Sequence, residues 1–170
     1  EENTEITDGW HEESGSKYYY ENGNKITGWK KIDNKWYYFE NNGILQNSKW
    51  IKTSNKWYYV DGSGVMQTAK WLKLNDKWYY VDGNGVMQTG WQQINKKWYH
   101  FNASGEMQTG WQQINKKWYC FDASGVMQTS KWISSTYYVK ADGTMAVSEW
   151  VDGGKYYVGA DGKWVKSAKK

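Results

Sequence analysis

A tryptophan recurs along the chain at Trp10, Trp29, Trp50, Trp71, Trp91, Trp111, Trp132 and Trp150, at intervals of 19, 21, 21, 20, 20, 21 and 18 residues. A period this short restricts the chain to an array of one small structural unit. Each copy is too small to bury its own apolar face and must bury it on its neighbours. Two copies are nearly identical: GWQQINKKWYHFNASGEMQT begins at Gly90 and GWQQINKKWYCFDASGVMQT at Gly110. The shared pattern is Gly or Lys, Trp, six residues, Trp-Tyr and two more β-forming residues, an Asx-Gly turn, then Met-Gln-Thr.

Each copy reads as a β-hairpin with a connecting loop. The opening Trp lies on a short first strand. A polar turn follows, for example at Asn34-Lys35, Asn55-Lys56 and Asp76-Lys77. The second strand is Trp-Tyr-Tyr-Phe/Val, a dense run of β-formers. Asp61 to Gly64 and Asp82 to Gly85 then signal a second turn. No segment has apolar residues at helical spacing over a helical length.

One such hairpin is marginal in water, whereas eight in series can stack. The expected fold is therefore all-β, a β-solenoid of about eight stacked hairpins, with residues 1–170 as one module. The chain has no Pro to mark a linker. Composition agrees. There are 14 Trp and 15 Tyr but only 3 Phe, and hydrophobic residues total 39 %. Mean hydropathy is -0.97. A thick aliphatic core cannot be built from this, so much of the apolar area sits in rings with a polar edge or an open face.

Strand alternation places Trp36 with Tyr38 on one face and Tyr37 with Phe39 on the other. If the two Trp of one hairpin face the next, they meet its first Tyr. Five three-ring cages follow: Trp29/Trp36/Tyr58, Trp50/Trp57/Tyr79, Trp71/Trp78/Tyr99, Trp91/Trp98/Tyr119 and Trp111/Trp118/Tyr137. Ring faces attract a cation, at about 0.5–2 kcal/mol per good contact, and apolar walls suit the methyl groups of a quaternary ammonium. Met66, Met87, Met107 and Met127 can close the floor with a thioether. Leu45 stands where Met is usual, and this is read as a variation of the Trp29/Trp36 cage. The first Tyr and the Met of each copy also suit plain packing, and the sequence leaves both roles open. The second Trp is replaced by Lys17 in the first copy, Thr136 in the seventh and Lys155 in the eighth. Copies two to six, about 28–131, are thus the complete ones, and the ends read as caps.

Other chemistry finds little support. The net charge is +4 with Lys scattered, which does not form a nucleic-acid patch. No Cys/His cluster has metal-site spacing, and the single Cys120 allows no internal disulfide. Asp61, Asp82, Asp122, Asp142 and Asp161 stand in turn register rather than as a catalytic acid–base pair. His100 and Cys120 occupy the second-Tyr slot of their copies and read as packed side chains. No catalytic residue, cofactor or metal is expected. No apolar run reaches the ~18 residues of a membrane span, and Glu1, Glu2 and Asn3 open the chain without a leader-like pattern.

The unit GWQQINKKWYCFDASGVMQTS resembles the choline-binding repeat of pneumococcal and phage cell-wall proteins, including the wall-binding half of the autolysin amidase. The likeness runs from about Gly9 to Trp164. It implies a left-handed solenoid, with choline between consecutive hairpins in a cage of two Trp and one Tyr near a Met. It also implies a secreted protein held at the bacterial surface by phosphocholine on teichoic and lipoteichoic acids. Two other readings use similar scaffolds: a glucan-binding repeat module, and an adhesin or regulator whose partner is a host protein or a wall enzyme.

Overall fold

The computed structural model describes residues 5–170, so the polar start at Glu1, Glu2 and Asn3 lies outside the described residues. Among those described there are seventeen strands and no helix. They form eight small sheets of sequential strands. By its contacts the chain divides into two bodies, residues up to 72 with 80–87, and residues 73–79 with 88–170.

In the first body β1 (Gly9–Glu13), β2 (Ser16–Glu21) and β3 (Asn24–Lys25) make a three-stranded sheet. It is followed by the hairpins β4 (Gly28–Ile32) with β5 (Lys35–Phe39) and β6 (Lys49–Thr53) with β7 (Lys56–Val60). Strands β8 (Lys70–Leu74) and β9 (Lys77–Val81) pair in turn, and the division of the chain runs through them. The second body holds β10 (Gly90–Ile94) with β11 (Lys97–Phe101), and β12 (Gly110–Ile114) with β13 (Lys117–Phe121). It ends with β14 (Lys131–Ile133) paired to β15 (Tyr137–Val139) and β16 (Glu149–Val151) to β17 (Tyr156–Val158). The fold is all-β, built of stacked hairpins.

The first six hairpins close on two-residue turns with positive φ at both residues, as at Asp33 and Asn34 (49° and 63°) and at Ser54 and Asn55 (50° and 60°). This is type I′ geometry, whose twist matches the flanking strands. The turns fall one residue earlier than the sequence suggested. Lys35, Lys56 and Lys77 open the second strands instead of closing the turns. The reason is steric: Asn and Asp tolerate the left-handed region and Lys does so poorly. Two turns break this preference, since Lys96 and Lys116 both sit at φ 66°.

Alternation fixes the core. The last residue of each second strand after the first hairpin is fully buried: Phe39, Val60, Val81, Phe101, Phe121, Val139 and Val158. The loop that follows returns to pair with the same residue, as in Val60 with Met66 and Phe121 with Met127. Its backbone also reaches the preceding copy. Met66 N–H donates to Trp36 O, Met127 to Trp98 O and Met145 to Trp118 O, each at 2.8 Å. In each of these pairs the later copy is tied to the one before it by main chain.

The approach is close. At Gly85 (φ +82°) an added Cβ would lie 2.8 Å from Met66 Cε. Gly143 presses on Met127 in the same way. The Asx-Gly turn therefore needs Gly both for its left-handed backbone and for the room it leaves the preceding Met.

Replacing Lys116 by Gly gives the turn an Asn-Gly pair suited to type I′. The expected gain is about 0.5–1 kcal/mol, read as a higher midpoint in urea unfolding. An unchanged or lower midpoint would show that the Lys conformation is not strained.

Candidate functional site

Trp29 is held edge-on by two phenol rings. Its cross-strand partner supplies one: Trp29 meets Tyr38 with ring centroids 5.1 Å apart. The first Tyr of the following hairpin supplies the other, as in Trp29–Tyr58 at 5.3 Å and 66°. The same corner recurs as Trp91–Tyr119 at 4.8 Å and 69°, and as Trp111–Tyr137 at 5.5 Å and 70°. Perpendicular rings make two walls of a box. The second Trp makes the third wall, with Trp98 standing 6.3 Å from Trp91 at 80°.

Three predicted sets therefore converge. Trp29, Trp36, Tyr58 and Met66 line one recess in the first body. In the second body Trp91, Trp98, Tyr119 and Met127 line another, and Trp111, Trp118, Tyr137 and Met145 line a third of about 280 Å³. The other two sets keep the same local arrangement. Trp50 packs on Tyr59 and Trp71 on Tyr80, each pair at 5.2 Å. Met87 and Met107 donate their N–H groups to the carbonyls of Trp57 and Trp78. Tyr79 belongs to the other body from Trp50 and Trp57, and Trp71 to the other body from Trp78 and Tyr99.

The Met assignment corrects one sequence expectation. Leu45 does not belong to the Trp29/Trp36 recess, which takes Met66. Leu45 N–H donates to Lys17 O, and its side chain lines the recess beside Trp10 and Tyr37. The loop of each copy closes on the preceding hairpin, so a floor residue comes from the copy that supplies the Tyr. By the same rule Met145, which the sequence reading passed over, floors the Trp111/Trp118 recess.

A second ring was also missed. At the seventh hairpin Thr136 stands in the second-Trp slot, yet Trp132, Tyr156 and Trp164 line a recess together. Aligning the loop ends Gly143-Thr144-Met145 and Gly162-Lys163-Trp164 puts Trp164 in the Met position. That alignment is the signal that could have found it.

The exposure of the second Trp separates wall from core. Trp36, Trp57, Trp78, Trp98 and Trp118 are 39–41 % exposed, whereas the opening Trp at 29, 91 and 111 are half-buried. Core packing does not require a large indole that stays this open to water. Burial pushes the phenol of Tyr99 up, with Asp122 adding to the effect, and does the same at Tyr37 with help from Asp33 and Asp61. These rings remain neutral at physiological pH, so they keep the negative face that attracts a cation.

The turn acids have a structural task. Asp61 Oδ1 accepts from Ser63 N–H at 2.9 Å and Val65 N–H at 3.0 Å. Asn102 does the same for Ser104 and Glu106, so the charge is not needed for the turn. Cys120 is buried opposite Trp111, and burial pushes its thiol up, away from a nucleophile's range. His100 meets Trp91 edge-on and bonds Gln108. No helix among the described residues is long and apolar enough to cross a membrane.

Comparison with known proteins bears on these recesses. The choline-binding repeat is matched at residues 26–71, 68–109 and 88–132, and a second form of choline-binding repeat at 126–164. Among solved structures, CbpJ from Streptococcus pneumoniae shares 37 % identity and a TM-score of 0.85, over 94 % of this chain and 58 % of its own. Choline binding protein F of Streptococcus pneumoniae shares 36 % identity and a TM-score of 0.84, with the same coverage of both chains. That protein, as CbpF, has also been solved in complex with ipratropium, at 34 % identity and a TM-score of 0.81 over 94 % of this chain and 60 % of that one. The chain thus spans 58–60 % of the length of these relatives. Comparison with curated protein sequences gives no match.

Truncating the two indoles of one recess should have unequal effects on folding. Trp91→Ala removes a ring packed on Tyr119, His100 and Phe121 and is expected to cost about 3 kcal/mol. Trp98→Ala removes an exposed ring and is expected to cost less than about 1 kcal/mol. Urea unfolding of the two variants checks this, and equal costs would make Trp98 a core residue.

Proposed function

The chain belongs to the choline-binding repeat proteins, and on that premise we propose that its aromatic recesses bind choline or phosphocholine on teichoic and lipoteichoic acids. The proposed sites are the five Trp/Trp/Tyr sets of copies two to six, each floored by the Met of the following copy. The protein then acts as a non-catalytic module at the bacterial surface. Residues 1–170 read as one left-handed solenoid of about eight copies, with the first and last two as modified ends.

The observation that carries this reading is the set of second Trp that stay open to water beside perpendicular rings. Such a corner is walled by three rings, and a turn carboxylate, Asp142 or Asp161, joins the lining of two of the recesses. It suits a cation that needs no hydrogen bonds and has methyl groups to bury, which describes trimethylammonium and not the Lys ammonium. The CbpF complex supports it, since ipratropium carries a quaternary nitrogen. Each site is weak alone. Several sites on one repetitive polymer raise overall retention by ~10²- to 10⁴-fold through effective concentration.

A column of immobilised quaternary amine tests this. The protein carries a net charge of +4, so a cationic matrix repels it unless specific sites hold it. Retention is expected, with elution by free choline and none by dextran. Flow-through, or elution by dextran, would contradict the proposal, and elution by dextran would favour the glucan-binding reading.

A further inference from the structure

At the seventh hairpin the indole sits in the loop slot instead of the strand slot. In the complete copies an indole occupies the strand slot and Met the loop slot, joined by the loop N–H to the strand carbonyl, as at Met145 and Trp118. At the seventh, Thr136 holds the strand slot, and the residue whose N–H reaches Thr136 O, at 2.9 Å, is Trp164. The small Thr vacates the third wall and the loop indole takes it.

The resulting geometry matches that of the complete copies. Trp132 and Tyr156 lie 5.6 Å apart at 86°, Tyr156 and Trp164 5.5 Å apart at 87°, and Trp132 and Trp164 6.0 Å apart at 54°. The recess they line measures about 260 Å³, against about 280 Å³ for Trp111/Trp118/Tyr137. Tyr156 is 37 % exposed, so the box is open. Its rim also carries a charge. Trp132 Nε1–H points at Asp152 Oδ2, 3.4 Å away, where the equivalent Trp29 Nε1–H donates to the neutral hydroxyl of Thr53. Lys166 Nζ already lies 5.2 Å from the Trp164 centroid, a tethered cation drawn to the same indole.

We propose that Trp132, Tyr156 and Trp164, with Asp152 at the rim, form an additional quaternary-ammonium site built from a loop indole. This rests on the choline reading above. The opposite end offers a contrast. Trp10 and Tyr37 make the same corner, at 5.0 Å and 74°. There the strand slot is Lys17 and the loop slot Leu45, so no third ring closes the box and a cation is built in beside it.

Choline titration of protein labelled with ¹⁵N at Trp tests the site in solution. The indole N–H signals are assigned through single Trp→Phe variants. The signals of Trp132 and Trp164 are expected to move together with those of Trp91 and Trp98. In Trp164→Ala the response of Trp132 should weaken at least about fivefold while Trp91 responds as before. Should Trp164→Ala not fold, Asp152→Asn, which keeps every ring, is expected to weaken the Trp132 response severalfold and leave Trp91 unaffected. Trp132 and Trp164 signals that stay still while Trp91 and Trp98 move would overturn this site alone. Silence of all four would overturn the choline reading with it.

Discussion

The contact on which this structure depends is the perpendicular meeting of an opening indole with the first phenol of the next hairpin. It is seen at Trp29–Tyr58, Trp91–Tyr119, Trp111–Tyr137 and Trp132–Tyr156. Edge-to-face packing of this kind adds about 0.5–1.5 kcal/mol beyond the area it buries. A two-stranded hairpin has too little apolar surface to stand alone, so the contact helps bind one copy to the next. Because the rings meet at near right angles, it also leaves a corner. Stability and the proposed binding site thus share one pair of side chains.

The main chain sets where that corner can close. Each loop returns to the carbonyl of the preceding second strand, so a third wall can reach the corner from either of two slots. The complete copies fill the strand slot with Trp and the loop slot with Met. At Thr136 and Trp164 the indole is in the loop slot instead, and at Lys17 and Leu45 neither slot holds a ring. The turn glycines permit this close return, as the contact of Gly85 with Met66 shows. A repeat protein of this kind can vary its sites by moving an indole from one slot to the other while the loop-to-hairpin hydrogen bond is kept.

Much of this was legible in the sequence. The Trp period announced an array of short β-hairpins, and strand alternation grouped the rings that line the recesses at Trp29, Trp91 and Trp111. What lay beyond reach was long-range. The hydrogen bond that carries Met66 to Trp36 spans most of one repeat and half of another, and no local pattern announces it. Leu45 was therefore assigned one hairpin too late, and Trp164 was read as part of a cap. The hairpin turns were misplaced by one residue for a different reason. Asn34 and Lys35 are both polar, and only backbone geometry separates the residue that must enter the left-handed region from the one that starts a strand.

The central claim is that the corner holds a methylated cation by its charge as well as its shape. Comparing choline with its neutral carbon analogue, in which tert-butyl replaces trimethylammonium, isolates that charge because the two have nearly the same form. Calorimetric titration is expected to show the neutral analogue binding at least about tenfold more weakly, as several cation–π contacts would be lost. Equal affinity for the two would mean that the rings act only as an apolar pocket, and would contradict the account.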